Sequence, residues 1–562
     1  MIRKNPALAA VAVLGAGLLA LTACAPTQPG PETDPNDLPA VGWTPVDPAD
    51  LADGGTLNLA VSSIPTDAGN WNPNTSEGAE VDPIAVEAPS TGQMIRLTAD
   101  GAWEPDPSYA ESVELISEDP QVVEVKLNKD AVWEDGSPLT ATDYQATFAA
   151  LSGKDTAYNI ASSAGFEQIT SFEIVDDYDF KVTFDPIYAD WAAVFQISAV
   201  PAAIANDAEA WSLGYVDKPL PSNGPFLFTK VDNDAKTVTA ERNPKWWGPA
   251  PKLDKITFTV IDQEAQAQSF ANDEIDAIEV LTPDAYISAQ EKSGAQVLRS
   301  GGVTYAQVTF NGTAKPLDDV KVRQAIAHGI DRDIIGEAAN KPLGAPAAPN
   351  GNYIFMPGQD GYEDTAGEAL AFDQEKAKSL LTEAGWTNAD GTWTKDGEEL
   401  DISVIVPQGT ASNELRAQQI QASLAEIDVK VTIDAVPGDD YFNDIIDGKY
   451  ELATFGWQGT AFNISSSESL FTPAQEPGDQ GGQNYAFVTD DRLEDLWAKA
   501  NAELDPAKRL EVASEINDVI ASYVPMLPLY AYPEIEVVDG DLANYGPATF
   551  LAIDWTEVGF TE

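Results

Sequence analysis

The sequence predicts an α/β protein with a partly parallel sheet, and three patterns in its C-terminal half support this fold class. Hydrophobic residues alternate with polar ones over 402–406 and again over 429–433, which is the period of a strand. Between these two segments, hydrophobic residues recur at the three- to four-residue steps of one helix face over 417–427. A strand, a helix and a second strand in this order form a crossover, which joins parallel strands.

The chain begins with the features of a cleaved export signal. Two basic residues precede an apolar run over 7–21, which is too short for a stable membrane span. The run ends in Leu21-Thr22-Ala23-Cys24, which resembles the lipobox of bacterial lipoproteins, and Cys24 is the only cysteine of the chain. We therefore predict a signal peptide over 1–23 and a diacylated Cys24. Two acyl chains would anchor the mature protein to the outer side of the cell membrane.

The segment over 24–54 combines prolines with glycine, acids and small polar residues. Because such a segment cannot form a packed core, we predict that it is an extended tether. The folded part then runs from about Gly55 to the C-terminus, about 500 residues, which is enough for two or three lobes. No later segment has the length of apolar sequence that a membrane span needs.

Charge excludes one class of partner. The chain carries 31 basic and 91 acidic side chains, a net charge of −60, and nucleic acid is excluded because phosphate binding needs the opposite sign. With Cys24 consumed by the lipid, no intrachain disulfide can form. Stability must come from a large core, for which an apolar content of 43% suffices.

Shorter patterns place further elements along the chain. Strands are predicted at 56–61, 122–127 and 181–184, where hydrophobic and polar residues alternate between turn-rich segments. A helix is predicted after Asp373, which can cap its first turn, and it ends at Gly385, where a left-handed backbone is needed.

Several longer stretches combine turn residues with a helix start or a helix face. They lie at 131–144, 222–226, 242–248, 310–311, 319–332 and 377–386. In their order, they resemble the large solute-binding lipoproteins of ABC importers, in the oligopeptide and dipeptide branch called family 5. Their chemistry is mostly structural: Asp135-Gly136-Ser137-Pro138 is a turn, and Thr140 or Thr142 can cap the helix that follows.

The residues of the helix predicted at 322–330 are also structural and not ligand-binding. Its apolar face consists of Val322, Ala325, Ile326, Gly329 and Ile330. Arg323 and Asp331 are predicted to lie off this face.

The resemblance implies a periplasmic-binding-protein-like fold of type II, in its large three-lobe variety, with a ligand cleft between lobes. Placed by the motifs, lobe I takes 55–75, 205–305 and 525–562, lobe II takes 76–204, and lobe III takes 306–524. Closure about a hinge would couple ligand capture to recognition by the membrane permease.

The resemblance also implies where the ligand binds. The segment over 455–465 looks like the family's Gly-Trp-x-x-Asp stretch, in which the tryptophan lines a side-chain pocket and the aspartate pairs with the α-amino group of a peptide. Trp457 matches the tryptophan, and Gln458, Gly459 and Phe462 are its neighbours in the predicted site. Thr460 stands where the aspartate would be, and a hydroxyl supplies no charge for a buried ammonium.

Two alternatives follow from Thr460. Either another acid of this acidic chain takes the role, or the ligand lacks a free α-amine, as capped peptides and oligosaccharides do. Further candidate contacts are Trp71 and Asn72 after the first strand, Asn311, and the pair Asn484 and Tyr485. For each of these residues, a turn or inter-lobe packing is an equally good interpretation.

The residue inventory gives little support to an enzymatic activity. His328 is the only histidine, so a serine or cysteine triad would lack its general base and a zinc hydrolase would lack its histidine ligands. His328 itself is expected to pack at the surface or between lobes. Carboxylate pairs for glycoside hydrolysis stay open, because the sequence does not show which acids face each other. No cofactor or metal is predicted.

We therefore expect an extracytoplasmic substrate-binding lipoprotein of an ABC importer, a monomer that captures peptides and delivers them to the permease subunits. An uncharged or capped ligand on the same fold, a nickel-chelate carrier and a peptide receptor for signalling are the alternatives. A single histidine disfavours direct nickel coordination.

Overall fold

The computed structural model describes residues 38–347, 349–479 and 482–561. The predicted signal peptide and Cys24 lie outside the described residues. Within them, strands and helices alternate along most of the chain, in agreement with the predicted α/β class.

The strands are numbered along the chain. They are β1 Thr56–Val61, β2 Ile95–Leu97, β3 Trp103–Pro105, β4 Ala110–Glu118, β5 Gln121–Leu127, β6 Ile169–Asp176, β7 Asp179–Phe184, β8 Phe226–Asp232, β9 Thr237–Arg242, β10 Lys255–Val260, β11 Ala277–Glu279, β12 Gln296–Phe310, β13 Thr387–Ala389, β14 Thr392–Lys395, β15 Glu398–Glu399, β16 Asp401–Pro407, β17 Lys430–Val436, β18 Leu452–Gln458, β19 Met526–Val538, β20 Leu542–Ala543 and β21 Gly559–Phe560.

The helices are numbered in the same way. They are α1 Pro65–Ala68, α2 Val81–Glu87, α3 Ala141–Leu151, α4 Ala202–Ala205, α5 Ala208–Leu213, α6 Gln263–Ala271, α7 Pro283–Gln290, α8 Val320–Gly329, α9 Arg332–Asn340, α10 Thr365–Ala369, α11 Gln374–Glu383, α12 Ala411–Ala425, α13 Gly438–Ile446, α14 Asn463–Ser467, α15 Arg492–Ala502 and α16 Pro506–Tyr523. Short 3-10 helices lie at Pro48–Asp50, Ala88–Ser90, Trp191–Phe195, Lys341–Leu343 and Glu468–Leu470.

A ten-stranded sheet organises the molecule, with the strand order β17-β16-β18-β12-β19-β11-β1-β10-β9-β8. β1 is parallel to β10, and β16 is parallel to both β17 and β18. The long strands β12 and β19 lie in the middle and pair antiparallel along most of their length. They join the part of the sheet that contains β1 to the part that contains β18.

The predicted crossover in the C-terminal half is confirmed. Ile402 of β16 pairs with Val431 of β17 in a parallel ladder, and α12 connects the two strands with Ala417, Ile420 and Leu424 buried. The predicted helix at 374–383 is confirmed as well. The Asp373 side chain accepts a hydrogen bond from Lys376 N, and Gly385 has φ of 91°.

A separate four-stranded sheet has the order β4-β5-β7-β6 and packs on α3, forming one hydrophobic core with it. Of the two threonines predicted to cap α3, Thr140 is the cap, and it forms a capping box with Asp143. Gly136 of the preceding turn has φ of 88°, which is why glycine is needed there.

Helix α8 has the predicted apolar face, all of it buried, and Arg323 is buried as well. Although it lies off that face, Arg323 is only 4% exposed. Its guanidinium donates to the carbonyl oxygens of Tyr523 (Nη2, 2.6 Å) and Leu317 (Nη1, 2.7 Å). The helix is therefore buried on two sides, and the second side is polar. His328, on the same helix, is 8% exposed and its Nδ1 lies 2.7 Å from Ala371 O.

The predicted tether differs from the structure at its C-terminal end. Val41 forms a strand bridge with Ala548, and Leu51 forms one with Thr561. Gly42 N also donates to Pro547 O at 2.8 Å. Although the composition of this segment does not favour a core of its own, residues 41–51 pack on the C-terminal segment of the chain.

Separate hydrophobic clusters occupy the different parts of the molecule. One surrounds α8, α11 and α12, a second lies between α3 and the four-stranded sheet, a third surrounds α15 and α16, and a fourth lies around β1 and β10. Among the described helices, none combines the length and the apolar character needed to cross a membrane.

Candidate functional site

A pocket of about 400 Å³ lies where distant parts of the chain converge. Its lining includes the segment 458–462 after β18, Val303 of β12, Leu97 of β2, Gln196 after the Trp191–Phe195 helix, and Thr549 and Phe550 near the C-terminus. Four residues predicted from the sequence, Gln458, Gly459, Thr460 and Phe462, are therefore in one place. The other walls are supplied by residues that the sequence analysis did not name.

Trp457 forms an aromatic stack beside this segment. Its ring lies 5.8 Å from that of Tyr485, with an angle of 15° between the planes, and Phe455 meets it edge to face at 5.4 Å. Burial raises the pKa of Tyr485. Trp457 Nε1 is buried without a hydrogen-bond partner among the described residues. The structure thus brings together two of the predicted site residues and leaves one buried indole donor without a partner among the described residues.

The edge of β18 that faces away from β12 is open beyond its first residues. Gly459 N donates to Val303 O and Asn311 N donates to Glu451 O, so the odd-numbered residues of β18 pair with β12. Because such pairs alternate along an antiparallel ladder, Gly456 and Gln458 direct their backbone groups to the opposite edge. There β16 pairs only with Leu452 and Ala453, and no described strand covers Gly456 or Gln458.

Thr460 is held by hydrogen bonds within its own loop. Its Oγ1 lies 2.9 Å from Ser466 Oγ, and its carbonyl oxygen accepts from Gln359 Nε2 at 3.3 Å. Gln359 Oε1 in turn accepts from Asn463 Nδ2 at 2.7 Å. The loop after β18 is thereby positioned by Gln359, and Thr460 brings no charge to the pocket.

A buried ion pair lies beyond this loop. Arg509 of α16 binds both carboxylate oxygens of Asp190, with Nη2 2.7 Å from Oδ2. Ser465 N donates to the same Oδ2 at 3.2 Å, and Ala189 N donates to Asn501 O at 2.8 Å. Phe462 packs on the core that contains the four-stranded sheet. The part of the chain around Asp190 is therefore fastened to the loop after β18 and to α16.

A buried cation lies behind β18. Arg416 of α12 is 2% exposed and donates to three kinds of neutral oxygen: Thr454 Oγ1 at 3.0 Å, Asn413 Oδ1 at 2.7 Å and Tyr532 Oη at 2.6 Å. Since a guanidinium only donates, the oxygen of Tyr532 accepts the hydrogen bond from Arg416.

Four other predicted residues are not brought to this pocket. Trp71 is fully buried and its Nε1 donates to Thr66 Oγ1. Asn72 is fully buried as well, and its Nδ2 donates to Trp211 O. Asn311 and Asn484 are each 1% exposed and fasten turns by donating to backbone carbonyls. All four side chains are buried in this structure, and contact of any of them with a ligand remains a prediction.

Sequence reasoning missed Asp190, Arg509 and Arg416. The ion pair joins residues 319 positions apart, and no local pattern marks either partner. Arg416 lies on a helix whose apolar stripe was recognised, yet a buried arginine among hydroxyl groups has no sequence signal of its own. Among the described residues, no group of three or more histidine, cysteine, aspartate or glutamate side chains could hold a metal ion.

A pocket between separately packed parts of the chain is the arrangement expected of a protein that encloses a small ligand between lobes. Residues 104–478 match the bacterial extracellular solute-binding proteins, family 5, in its middle part. The chain belongs to this family, which is one of solute-binding proteins and not of enzymes, and the resemblance inferred from the motifs is confirmed.

Particular relatives extend the match over nearly the whole chain. The oligopeptide-binding protein OppA of Mycobacterium tuberculosis (strain ATCC 25618 / H37Rv) is 34% identical over 519 residues, which are 92% of this chain and 86% of OppA. Among solved structures, the periplasmic EDTA-binding protein EppA superposes with a TM-score of 0.83 at 24% identity, covering 93% of this chain and 99% of EppA.

A second solved structure is the oligopeptide-binding protein AppA from Bacillus subtilis in complex with a nonapeptide. It superposes with a TM-score of 0.70 at 21% identity, covering 91% of this chain and all of AppA (100%). These likenesses confirm the predicted fold class, the periplasmic-binding-protein-like α/β fold.

Proposed function

We propose that the protein captures peptides outside the cell and delivers them to the permease of an ABC importer. One observation carries the peptide assignment: the open edge of β18 at Gly456 and Gln458, with the Trp457–Tyr485 stack beside it. An extended peptide can add to such an edge as a further strand, so that its backbone supplies affinity and its alternate side chains enter pockets.

The relatives support this ligand class. OppA of Mycobacterium tuberculosis is named for oligopeptides, and AppA holds a nonapeptide on the same fold. The backbone groups of Gly456 and Gln458 fit any peptide sequence, whereas an oligosaccharide has no regular donor and acceptor spacing to match a strand edge. Peptides are therefore favoured over sugars in spite of the missing aspartate at Thr460.

The three-lobe division is part of the proposal. Lobe I would comprise 55–75, 205–305 and 525–562, lobe II 76–204, and lobe III 306–524. The four-stranded sheet and its own core support lobe II. The passage of β12 and β19 through the middle of the large sheet supports a hinge near 305 and 525. The Asp190–Arg509 pair would then join lobe II to lobe III in a closed arrangement.

Anchorage and assembly complete the proposal. The lipobox-like sequence before Cys24 supports a diacylated protein held at the outer face of the cell membrane. The protein would act as a monomer that presents its closed form to the permease subunits. It would carry out no reaction on its ligand, and a receptor role in signalling would use the same binding site.

Thermal unfolding of the purified protein tests the ligand class. We expect a mixture of di- to pentapeptides to raise Tm, and cello- and xylo-oligosaccharides to leave it unchanged. A ligand at 100 times its Kd stabilises the native state by about 2.7 kcal/mol, which gives a clear shift. A rise with the sugars alone would contradict the peptide assignment.

A further inference from the structure

Three carboxylates share one face of the large sheet where β11, β19 and β12 adjoin. Glu279 ends β11 and lies directly opposite Glu536 of β19. Glu534 is two residues before Glu536, so its side chain is on the same face. None of the three forms an ion pair with a lysine or arginine among the described residues, although the chain has many such pairs elsewhere.

The three groups repel one another; Glu534 and Glu536 are half-buried, whereas Glu279 is exposed. Like charges placed directly opposite across a ladder destabilise a sheet. Burial, and then the charge of Glu279, raises the pKa of Glu534 to about 7. Burial and the charges of Glu279 and Glu534 raise the pKa of Glu536 to about 8. Asp82 adds a further negative charge near Glu279. Burial, together with the charges of Glu536 and Glu279, raises the pKa of the Tyr545 hydroxyl.

An unpartnered hydroxyl lies beside the carboxylates. Ser300 of β12 pairs directly with Glu534, so its side chain is on the same face. Ser300 is fully buried, and its Oγ has no hydrogen-bond partner among the described residues. Buried hydroxyl groups are nearly always hydrogen-bonded in proteins, so a bound water or a group of the ligand would satisfy Ser300 Oγ.

One carboxylate of the cluster, Glu534, lies near the part of β12 that borders the pocket described above. A side chain at Gly302 would meet Glu534 Cγ at 3.1 Å, and the next residue, Val303, lines the pocket together with Gln458 to Phe462. Tyr532, two residues before Glu534, lies on the same face and holds its hydroxyl against Arg416. Glu534 is therefore close to the strand segment that supplies one wall of the pocket, and none of the three carboxylates is among the residues that line the pocket.

We propose that Glu279, Glu534 and Glu536 bind a positively charged group of the ligand, an ammonium or guanidinium, with Ser300 Oγ as a further acceptor. The cluster would take over the charge that Thr460 does not provide. This inference rests on the proposed peptide function and adds the chemistry of one ligand end to it. Among the described residues, no group of three or more histidine, cysteine, aspartate or glutamate side chains could hold a metal ion, so the proposal concerns an organic cation. An anionic chelate is disfavoured by the same charges.

The test compares matched peptides on the full protein and its variants. The probes are trialanine, N-acetyltrialanine, and an N-acetylated tripeptide with a central lysine, each measured by titration calorimetry. We expect the wild-type protein to bind at least one cationic probe about tenfold more tightly than N-acetyltrialanine. Preference for trialanine would identify the α-amine as the source of the charge, and preference for the lysine peptide would identify a side chain.

Glu534→Gln is the decisive variant, and Glu264→Gln, an exposed change on α6, is its control for lost charge. In Glu534→Gln the preference should fall to about one while N-acetyltrialanine binds as before. Glu264→Gln should keep the wild-type preference. Because Glu534→Gln removes repulsion, its Tm should not fall.

Two results would overturn the inference alone: peptide binding by the wild-type protein with an unchanged preference in Glu534→Gln, or an equal loss of preference in Glu264→Gln. A rise of Tm in Glu534→Gln without any change in preference would assign the cluster a structural role and would count against the inference too. Failure of all three probes to bind the wild-type protein would remove the proposed function, and this inference with it.

Discussion

Arg509 and Asp190 form a two-pronged ion pair across 319 positions of sequence. Asp190 is 6% and Arg509 13% exposed at the side chain, so both charges are largely removed from water. Asp190 stands at the start of the Trp191–Phe195 helix, on the core of the four-stranded sheet, whereas Arg509 belongs to α16. The pair is thus a direct bond between two separately packed parts of the molecule.

Removing one partner of this pair should weaken both the fold and ligand retention. Arg509→Met leaves Asp190 buried and unpaired, and such changes cost about 3–5 kcal/mol. We expect a lower Tm and a faster dissociation of bound peptide, measured by calorimetry and by stopped-flow Trp fluorescence. Arg492→Met is the matched control, because the pair of Arg492 with Asp490 is local and Arg492 is 59% exposed. Equal effects of the two substitutions would contradict the role of the buried pair.

The Trp457–Tyr485 stack should contribute aromatic contact to the ligand. Trp457→Ala is expected to weaken peptide binding by about tenfold or more, whereas Trp457→Phe keeps a ring in place and should lose much less. Isothermal titration gives both affinities, and circular dichroism checks that the variants fold. Wild-type affinity in Trp457→Ala would show that the stack only supports β18.

The open edge of β18 can be blocked with little damage to the sheet. Gly456→Pro removes an N–H that points away from β12, so no ladder bond is lost, and proline is tolerated at edges. If a peptide pairs with this edge, its affinity should fall about three- to tenfold. Gly438→Pro, at the first position of α13 with open space around it, controls for the proline itself and should bind normally.

Stability should fall as pH rises through the range in which Glu534 and Glu536 lose their protons. Their pKa values in the folded chain, about 7 and about 8, lie above the ordinary value of 4.5. The native state therefore binds more protons than the unfolded chain, and the stability this confers is complete below about pH 4.5 and lost by about pH 8.

Glu536→Gln isolates this contribution. Between pH 5 and pH 8.5, the Tm of the wild-type protein should fall further than the Tm of Glu536→Gln, as measured by calorimetric scans at each pH. Glu264→Gln should follow the wild-type curve. Parallel curves for Glu536→Gln and the wild-type protein would mean that Glu536 ionises normally.

Cys24→Ser tests the proposed lipid anchor. With its thiol replaced, the chain has no other cysteine to accept the lipid. We expect the loss of incorporated labelled fatty acid and the release of the protein from the membrane fraction. Retention of both in Cys24→Ser would exclude attachment at this residue.

Much of the scaffold was predictable, because local physical rules determine it. The period of β16, α12 and β17, the Asp373 cap and the Thr140 cap each depend on residues within one or two turns. Trp457 was predicted from the resemblance of its segment to the family's Gly-Trp-x-x-Asp stretch, and its contact with a ligand remains a prediction. In each case the signal and the structure that it predicts lie in the same short segment.

The remaining features depend on partners that are distant in sequence. Arg323 was placed correctly off the apolar face, yet its burial arises from carbonyl oxygens of a segment about 200 positions away. The segment 41–51 is ordered by residues near the C-terminus. The meeting of Glu279 with Glu536 requires the strand order of the large sheet. Composition and periodicity carry no information on such encounters.

The continuity of the ten-stranded sheet through β12 and β19 has a mechanical consequence. Because β12 and β19 run through the middle of the sheet, its two ends cannot separate as independent units. Any rotation of one end relative to the other must therefore twist these two strands. Their ladder is irregular between Gly301 and Tyr305 and again between Ala306 and Gln307, and such irregularities bend a strand and increase its local twist. Val303, within the first of these irregular stretches, is also a wall of the pocket. We therefore expect a twist of the sheet and a change in pocket width to be a single movement.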